Sequence, residues 1–290
     1  MRKLTRSELI GQIIMHIVFI IATIIFLYPI IVTFMSSITD ETSLMRHGMR
    51  LIPAEFSLDA YRTVFSDNTI MNAYIVTIGV TVIGTFLSVL VCSMAGFAMS
   101  VNTLKYRNRI ALFFYIPMVF SAGLLPWFLV STQFYGLSDR AWALIVPMLV
   151  SPFNIFLARN YFRTIPASLV ESAQIDGCSP MKTLMLIIFP LSMPILATLG
   201  LFIGLAYWND WSMALWFIRN PSLYPVQYML FRIDAMMDHI RMHGAIGDMQ
   251  LPTQTFRLAT LFVTLGPIVL LYPFVQRYFV KGIMIGAVKG

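Results

Sequence analysis

Long apolar stretches alternate along the chain with shorter polar ones. Six segments, 9–39, 68–104, 110–138, 141–158, 183–209 and 258–276, contain no Asp, Glu, Lys or Arg. A helix needs about 20 mainly apolar residues to cross a bilayer, at about 1.5 Å rise per residue. The pattern therefore predicts an all-α integral membrane protein with six transmembrane helices. The fourth segment is the shortest and carries Pro147 and Pro152, so its helix limits are the least sharply marked. The first segment is far longer than the roughly 7–15 apolar residues of a signal peptide, and no A-x-A site follows it, which predicts a retained helix.

Composition removes the soluble alternatives. The 290 residues are 58% hydrophobic and 11% charged, against about 25% charged in an ordinary soluble domain. So few charges could not wet the surface of a cytosolic enzyme, and so much apolar character excludes disorder. Two cysteines give neither a disulfide scaffold nor a CxxC pair. The net charge of +7 would suit nucleic acid, but the basic residues sort by side of the membrane. Segments 1–8, 105–109, 159–182 and 277–290 hold 12 Lys/Arg and 3 acidic residues; 40–67, 139–140 and 210–257 hold 8 and 10. The positive-inside rule then places both termini in the cytoplasm. No nucleic-acid partner is expected.

The six segments also lack the groups that most function classes need. A stand-alone secondary transporter or channel for a small solute is the alternative reading, but ion-coupled carriers keep ionisable residues near the midplane. Here His16 is the one ionisable side chain of that kind inside a segment, close to its cytoplasmic end. No GxxxxGK[ST] phosphate loop occurs, so energised transport would draw on another polypeptide. His239 and His243 are four apart, as in a helical metal pair, but no HExxH accompanies them and no metal site is expected. No catalytic cluster is visible.

The cytoplasmic connection after Arg159 carries the strongest signal. Pro166 is placed like the first residue of a helix and Gly177 like its stop. The short helix between them puts Leu169, Ala173 and Asp176 on one face. Glu171, Ser172, Ala173 and Gly177, followed by Ile187, Phe189 and Pro190, match E-A-A-x-x-x-G-x9-I-x-L-P with the spacing intact. Ser172 and Phe189 are small or apolar departures from that pattern. The motif resembles the loop of binding-protein-dependent ATP-binding-cassette import permeases. The surrounding I-P-A-S-L-V-E-S-A-Q-I-D-G, the 251–260 stretch L-P-T-Q-T-F-R-L-A-T and the segment Pro273–Gly290 resemble the maltose-permease-like, carbohydrate-uptake branch.

The resemblance implies a type I importer permease fold, one peripheral helix plus a five-helix core. Residues 1–39 would be the N-terminus and peripheral helix, 40–67 an extracytoplasmic loop, and 68–290 the core. Within that core, 159–187 would be the coupling loop and 210–257 an outer loop. Glu171, Ser172, Ala173, Asp176 and Gly177 would dock on an ATPase. The implied partners are a second, dissimilar permease, two ATP-binding-cassette ATPase subunits, an extracytoplasmic substrate-binding protein and membrane lipid. ATP and magnesium would sit on the ATPase, with no cofactor on this chain, which would reside in a bacterial-type cytoplasmic membrane.

A second group of residues ends the fifth segment. Ala197, Gly200 and Gly204 have small-xxx-small spacing, which predicts close helix approach along a helix from about Ile188 to Phe217. Its outer end holds Tyr207, Trp208, Asn209, Asp210 and Trp211. Such rings could stack on sugars and the polar pair could bond hydroxyls, or the group could form an aromatic belt at the membrane surface.

Overall fold

Proline, and the extended residues that accompany it, interrupt several of the apolar runs. The computed structural model describes residues 6–66, 68–101, 104–243, 253–267 and 269. Its regular structure among those residues is helical, apart from an isolated antiparallel bridge between Thr39 and Phe56. Two uninterrupted helices are long and apolar enough to cross a bilayer: α1 (Arg6–Ser37) and α4 (Asn68–Ser100). Between them lie α2 (Glu41–His47), capped by Asp40, and α3 (Asp59–Ser66). The apolar stretch of α1 is unburied among the described residues, as suits a helix covered by lipid or by another chain, whereas its last turn, at Ser36 and Ser37, is buried.

The third, fourth and fifth runs are bent rather than straight. α5 (Arg107–Val119) turns by 115° into α6 (Leu124–Leu129), which a π-helical turn prolongs to Phe134. Pro117 in the last turn of α5 offers no N–H, and Phe120 after it is extended. The fourth run begins as two 3₁₀ turns, Ala141–Leu144 and Val146–Met148. It bends by 50° into α7 (Pro152–Phe162), where Ser151 caps the helix and Pro152 opens it.

α8 (Ala167–Ile175) follows, then α9 (Pro180–Thr183), a π-helical turn over Leu184–Ile188 and α10 (Phe189–Leu191). The chain then bends by 91° into α11 (Met193–Asn209). The expected helix from Ile188 to Phe217 is therefore corrected at both ends. Pro190 and Pro194 flank the first break at Ser192. At the other end, extended Asp210 separates α11 from α12 (Ser212–Phe217). After a 3₁₀ turn at Pro221–Leu223 come α13 (Val226–His243) and α14 (254–267). Most of the sixth apolar run beyond α14, and the segment Pro273–Gly290, lie outside the described residues.

The described residues pack as two units. In the larger, over 69–231, Phe97, Phe162, Leu184, Ile188, Leu199, Ile203 and Phe217 form one buried core. Two glycines of α4 allow its neighbours to approach. A Cβ on Gly84 would lie 2.7 Å from the Tyr207 ring, and one on Gly96 would lie 2.8 Å from Ala158 Cβ and 3.0 Å from backbone of α7. The close approach expected at Gly200 and Gly204 is weaker. Gly200 has nothing within 4 Å, and Gly204 only meets Thr85 at 3.4 Å. The contact is thus set by α4, whose glycines face larger residues on the partner helices.

In the smaller unit, over 6–66 and 232–265, Phe34 of α1 meets Phe262 of α14 edge-on at 5.2 Å. Asp234 of α13 pairs with Arg257 of α14. Glu41 accepts the N–H groups of Gln254 and Thr255 at 3.0 and 2.9 Å. Part of the stretch L-P-T-Q-T-F-R-L-A-T is therefore the start of α14, where Thr253 also takes the Phe256 N–H at 3.2 Å.

Candidate functional site

α8 is short and sharply bounded. Pro166 occupies the cap rather than the first turn, and its carbonyl accepts the Leu169 N–H at 3.2 Å. At the other end Gly177 has φ +75°. Its N–H donates to the Gln174 carbonyl at 3.1 Å, and the Cys178 N–H donates to Ala173 at 2.9 Å. This pair of bonds is a Schellman motif, and the left-handed backbone suits glycine.

The motif residues face different ways. Ala173 is buried, and Val170 packs towards the core. Glu171, Ser172 and Asp176 are exposed, as are Leu169 and, at 86%, Ile175. The face expected to join Leu169, Ala173 and Asp176 is thus divided, with Ala173 turned inwards. Beneath α8 lie two cavities. One of about 220 Å³ is bordered by Glu171, Gln174, Arg163 and Phe97. The other, of about 340 Å³, is bordered by Val170, Gln174, Met181 and Leu184. Spaces of this size leave a helix loosely packed on its inner side.

The five residues around the end of α11 separate into two groups. Tyr207 and Trp208 are buried. The Tyr207 hydroxyl donates to the Ile145 carbonyl at 2.9 Å and meets the Ser88 hydroxyl at 3.1 Å. The Trp208 indole N–H is enclosed with no acceptor among the described residues. Asp210 is taken up by local structure, accepting the Met213 N–H at 3.0 Å and the Ser212 hydroxyl at 2.7 Å. Trp211 is 39% exposed and stacks on Phe231 of α13, with centroids 4.3 Å apart and planes at 14°. Phe231 in turn stacks with Tyr228 at 6.2 Å. The Asn209 carbonyl accepts from the Gln227 amide at 3.4 Å.

The structure therefore pairs Trp211 with Phe231 and Asn209 with Gln227, rather than aligning Trp211 with Tyr207 and Trp208. Phe231 and Gln227 are four apart on one face of α13, the available sequence signal, but it does not name Trp211 as their partner. Nearby, Asp139 accepts the N–H groups of Arg219 and Asn220 at 3.0 and 2.8 Å. These bonds, that of Asn220 foremost, hold its carboxyl below the usual carboxylate range. Among the described residues no group of three or more His, Cys, Asp or Glu side chains could hold a metal. His16 meets the Gln12 carbonyl of its own helix at 2.6 Å.

The profile of the binding-protein-dependent transport system inner membrane component family matches residues 93–285. The chain belongs to that family and is a permease of an ATP-binding-cassette importer. The polygalacturonan/rhamnogalacturonan transport system permease protein YtcP of Bacillus subtilis is 38% identical over 83% of this chain and 84% of its own. The arabinooligosaccharides transport system permease protein AraQ of Halalkalibacterium halodurans is 29% identical over 91% of each chain. A chain from the crystal structure of a bacterial ABC transporter involved in import of the acidic polysaccharide alginate superposes with a TM-score of 0.83. That pair is 27% identical, over 96% of this chain and 100% of the other. Both the family and this shared permease fold displace the stand-alone carrier reading.

Proposed function

We propose that this permease forms half of the translocation path of an ATP-driven oligosaccharide importer and takes its energy through α8. A second permease would complete the path, two ATPase subunits would sit on the cytoplasmic face, and a binding protein would deliver cargo outside. The carbohydrates named for the relatives support an oligosaccharide as cargo. The charge asymmetry supports cytoplasmic termini.

The observation that carries the reading is Ile175, 86% exposed on a helix whose end is locked by the Gly177 turn. An isoleucine so exposed on a short, rigidly ended helix offers an apolar anchor to a partner groove. The ATPase supplies that groove, ATP and magnesium stay with it, and Glu171, Ser172 and Asp176 lie beside the anchor. The cavities under α8 leave room for it to shift when the ATPases close. That shift is the two-state element through which a partner can bias the permease.

On the outer side, the exposed face of Trp211, braced by Phe231, gives a sugar ring a rigid surface. Asn209 and Gln227 lie beside it with amide groups for hydroxyls. Tyr207 and Trp208 hold α11 in place in the packed state, and the enclosed Trp208 N–H would gain a partner as the path opens.

Purification through a tag on this chain tests the coupling role. Ile175→Asp is expected to lose the ATPase while keeping the second permease. Full ATPase recovery with that variant would remove α8 from the docking surface.

A further inference from the structure

The basic residues at one end of α5 and α7 converge in a way that the coupling role does not use. The first turns of α5, through Ile110, Ala111 and Phe114, pack against the buried cluster of Cys92 and Met99 of α4 and Ile155 of α7. One turn beyond Ile155 comes Arg159 and one turn before Ala111 comes Arg107, so the two arginines share the same end of the helix pair. Arg163 follows after another turn. Arg107 and Arg163 are the charged groups that act on the Arg159 guanidinium.

Packing holds Arg159 in this company. Its backbone N lies 3.0 Å from the position a Cβ on Gly96 would take, and its guanidinium is 6.0 Å from the Phe156 ring. Among the described residues its Nε is enclosed with no hydrogen-bond acceptor. Lys105 and Arg109 extend the cluster, 5.6 and 5.4 Å from the Tyr106 ring centre. Tyr106 at the start of α5 makes no side-chain cap bond, and the positive end of the helix adds to these five cations.

We propose that the ends of α5 and α7 bind the headgroup of an anionic phospholipid in the adjoining membrane leaflet. Arginines gathered at one end of a helix pair are complementary to a phosphodiester, whose oxygens accept from several guanidinium N–H groups at once. The depth selects lipid as the source. The charge-free run 110–138 begins directly after Arg109 and the run 141–158 ends directly before Arg159, so the cluster lies at the headgroup layer. Tyr106 is the ring type favoured there. A zwitterionic headgroup would bring its own ammonium into a ring of cations, whereas phosphatidylglycerol would not.

The test uses the transporter purified through a tag on the full chain in neutral detergent, with bound lipid read by native mass spectrometry. Dioleoyl phosphatidylglycerol, dioleoyl phosphatidylcholine and inorganic phosphate are the probes. Phosphatidylglycerol is expected to be retained over phosphatidylcholine. The R107Q/R159Q double variant should lower its retention about tenfold or more, because it takes two cations out of the headgroup layer. Arg140→Gln removes a single charge on a different loop and should leave retention unchanged. Arg159→Lys should retain an intermediate amount. Arg163→Gln gives a milder variant should the double change impair assembly, and it too should weaken retention. Equal retention by wild type and both glutamine variants of the cluster would overturn the proposal, as would equal binding of phosphatidylcholine. So would displacement of phosphatidylglycerol by inorganic phosphate at matched concentration, which would mark a free-anion site.

Discussion

The Glu41 carboxylate accepts both the backbone N–H of Thr255, at 2.9 Å, and its hydroxyl, at 2.7 Å. Its other oxygen takes the Gln254 N–H. A carboxylate supplied from the start of α2 thus neutralises the positive end of α14, more than two hundred residues later. Asp40, the adjacent residue, serves α2 itself through Thr42 and Ser43.

Removing that carboxylate should loosen the start of α14. Glu41→Ala is expected to cost about 1–2 kcal/mol, the usual range for a lost helix cap. Hydrogen exchange at 254–256 should accelerate, with Glu41→Gln intermediate because an amide has one acceptor oxygen. Unchanged exchange in Glu41→Ala would show that Thr253 alone sustains the helix end.

Gly177 is required by its backbone and not by space, since a Cβ there would meet nothing within 4 Å although φ is +75°. Gly177→Val should therefore strain the turn by about 1–2 kcal/mol, the penalty of left-handed backbone for a side-chain-bearing residue. Membrane insertion should survive while transport-coupled ATP hydrolysis falls sharply. Gly177→Asn, which tolerates this conformation better, should recover part of the hydrolysis. Normal stimulation in the valine variant would separate this turn from coupling.

The two kinds of aromatic residue near the end of α11 should behave differently. Trp211→Leu removes an exposed ring face and should reduce uptake while assembly and melting temperature hold. Tyr207→Phe removes a buried hydroxyl bonded to Ile145 and Ser88 and should lower stability by about 1 kcal/mol. Comparing uptake with melting temperature in the purified complex checks both. A Trp211→Leu protein with full uptake would leave the ring as a packing partner of Phe231.

Asp139 predicts an acid sensitivity. Its folded pKa is depressed, so the ionised form is favoured by folding. That stabilisation is fully present above the ordinary carboxylate range and is lost as pH falls through the lower folded value. Amide exchange at Arg219 and Asn220 should thus be flat from neutral pH down to about 5 once corrected for intrinsic rates, and should rise in stronger acid. Asp139→Ala should show the raised exchange at every pH. Wild-type exchange that rises between about pH 7 and 5 would contradict this link.

Much of this was legible along the chain. The charge-free runs located the apolar helices and Gly177 marked the end of α8, because caps and stops are local chemistry. The bends were less legible. Pro117, Pro190 and Pro194 are visible in the sequence, but a proline in a spanning helix can be accommodated by neighbours, so its presence alone does not set a 115° or a 91° turn. The small-residue spacing at Gly200 and Gly204 suggested close approach on the wrong helix. What matters is the residue opposite a glycine, and Tyr207 lies opposite Gly84.

By itself the sequence determined that this protein lives in a membrane, which segments are apolar enough to cross it and which loop carries the family-like motif from Glu171 to Gly177. Those properties depend on hydropathy, charge and turn chemistry within a few neighbouring residues. Only the tertiary structure decided that Glu41 caps α14, that Trp211 rests on Phe231 while Tyr207 is enclosed, that Ile175 faces outwards, and that Arg107 and Arg159 share one end of the α5–α7 pair. Each of these depends on which faces of distant helices are brought together, and helical periodicity fixes a face only relative to its own axis.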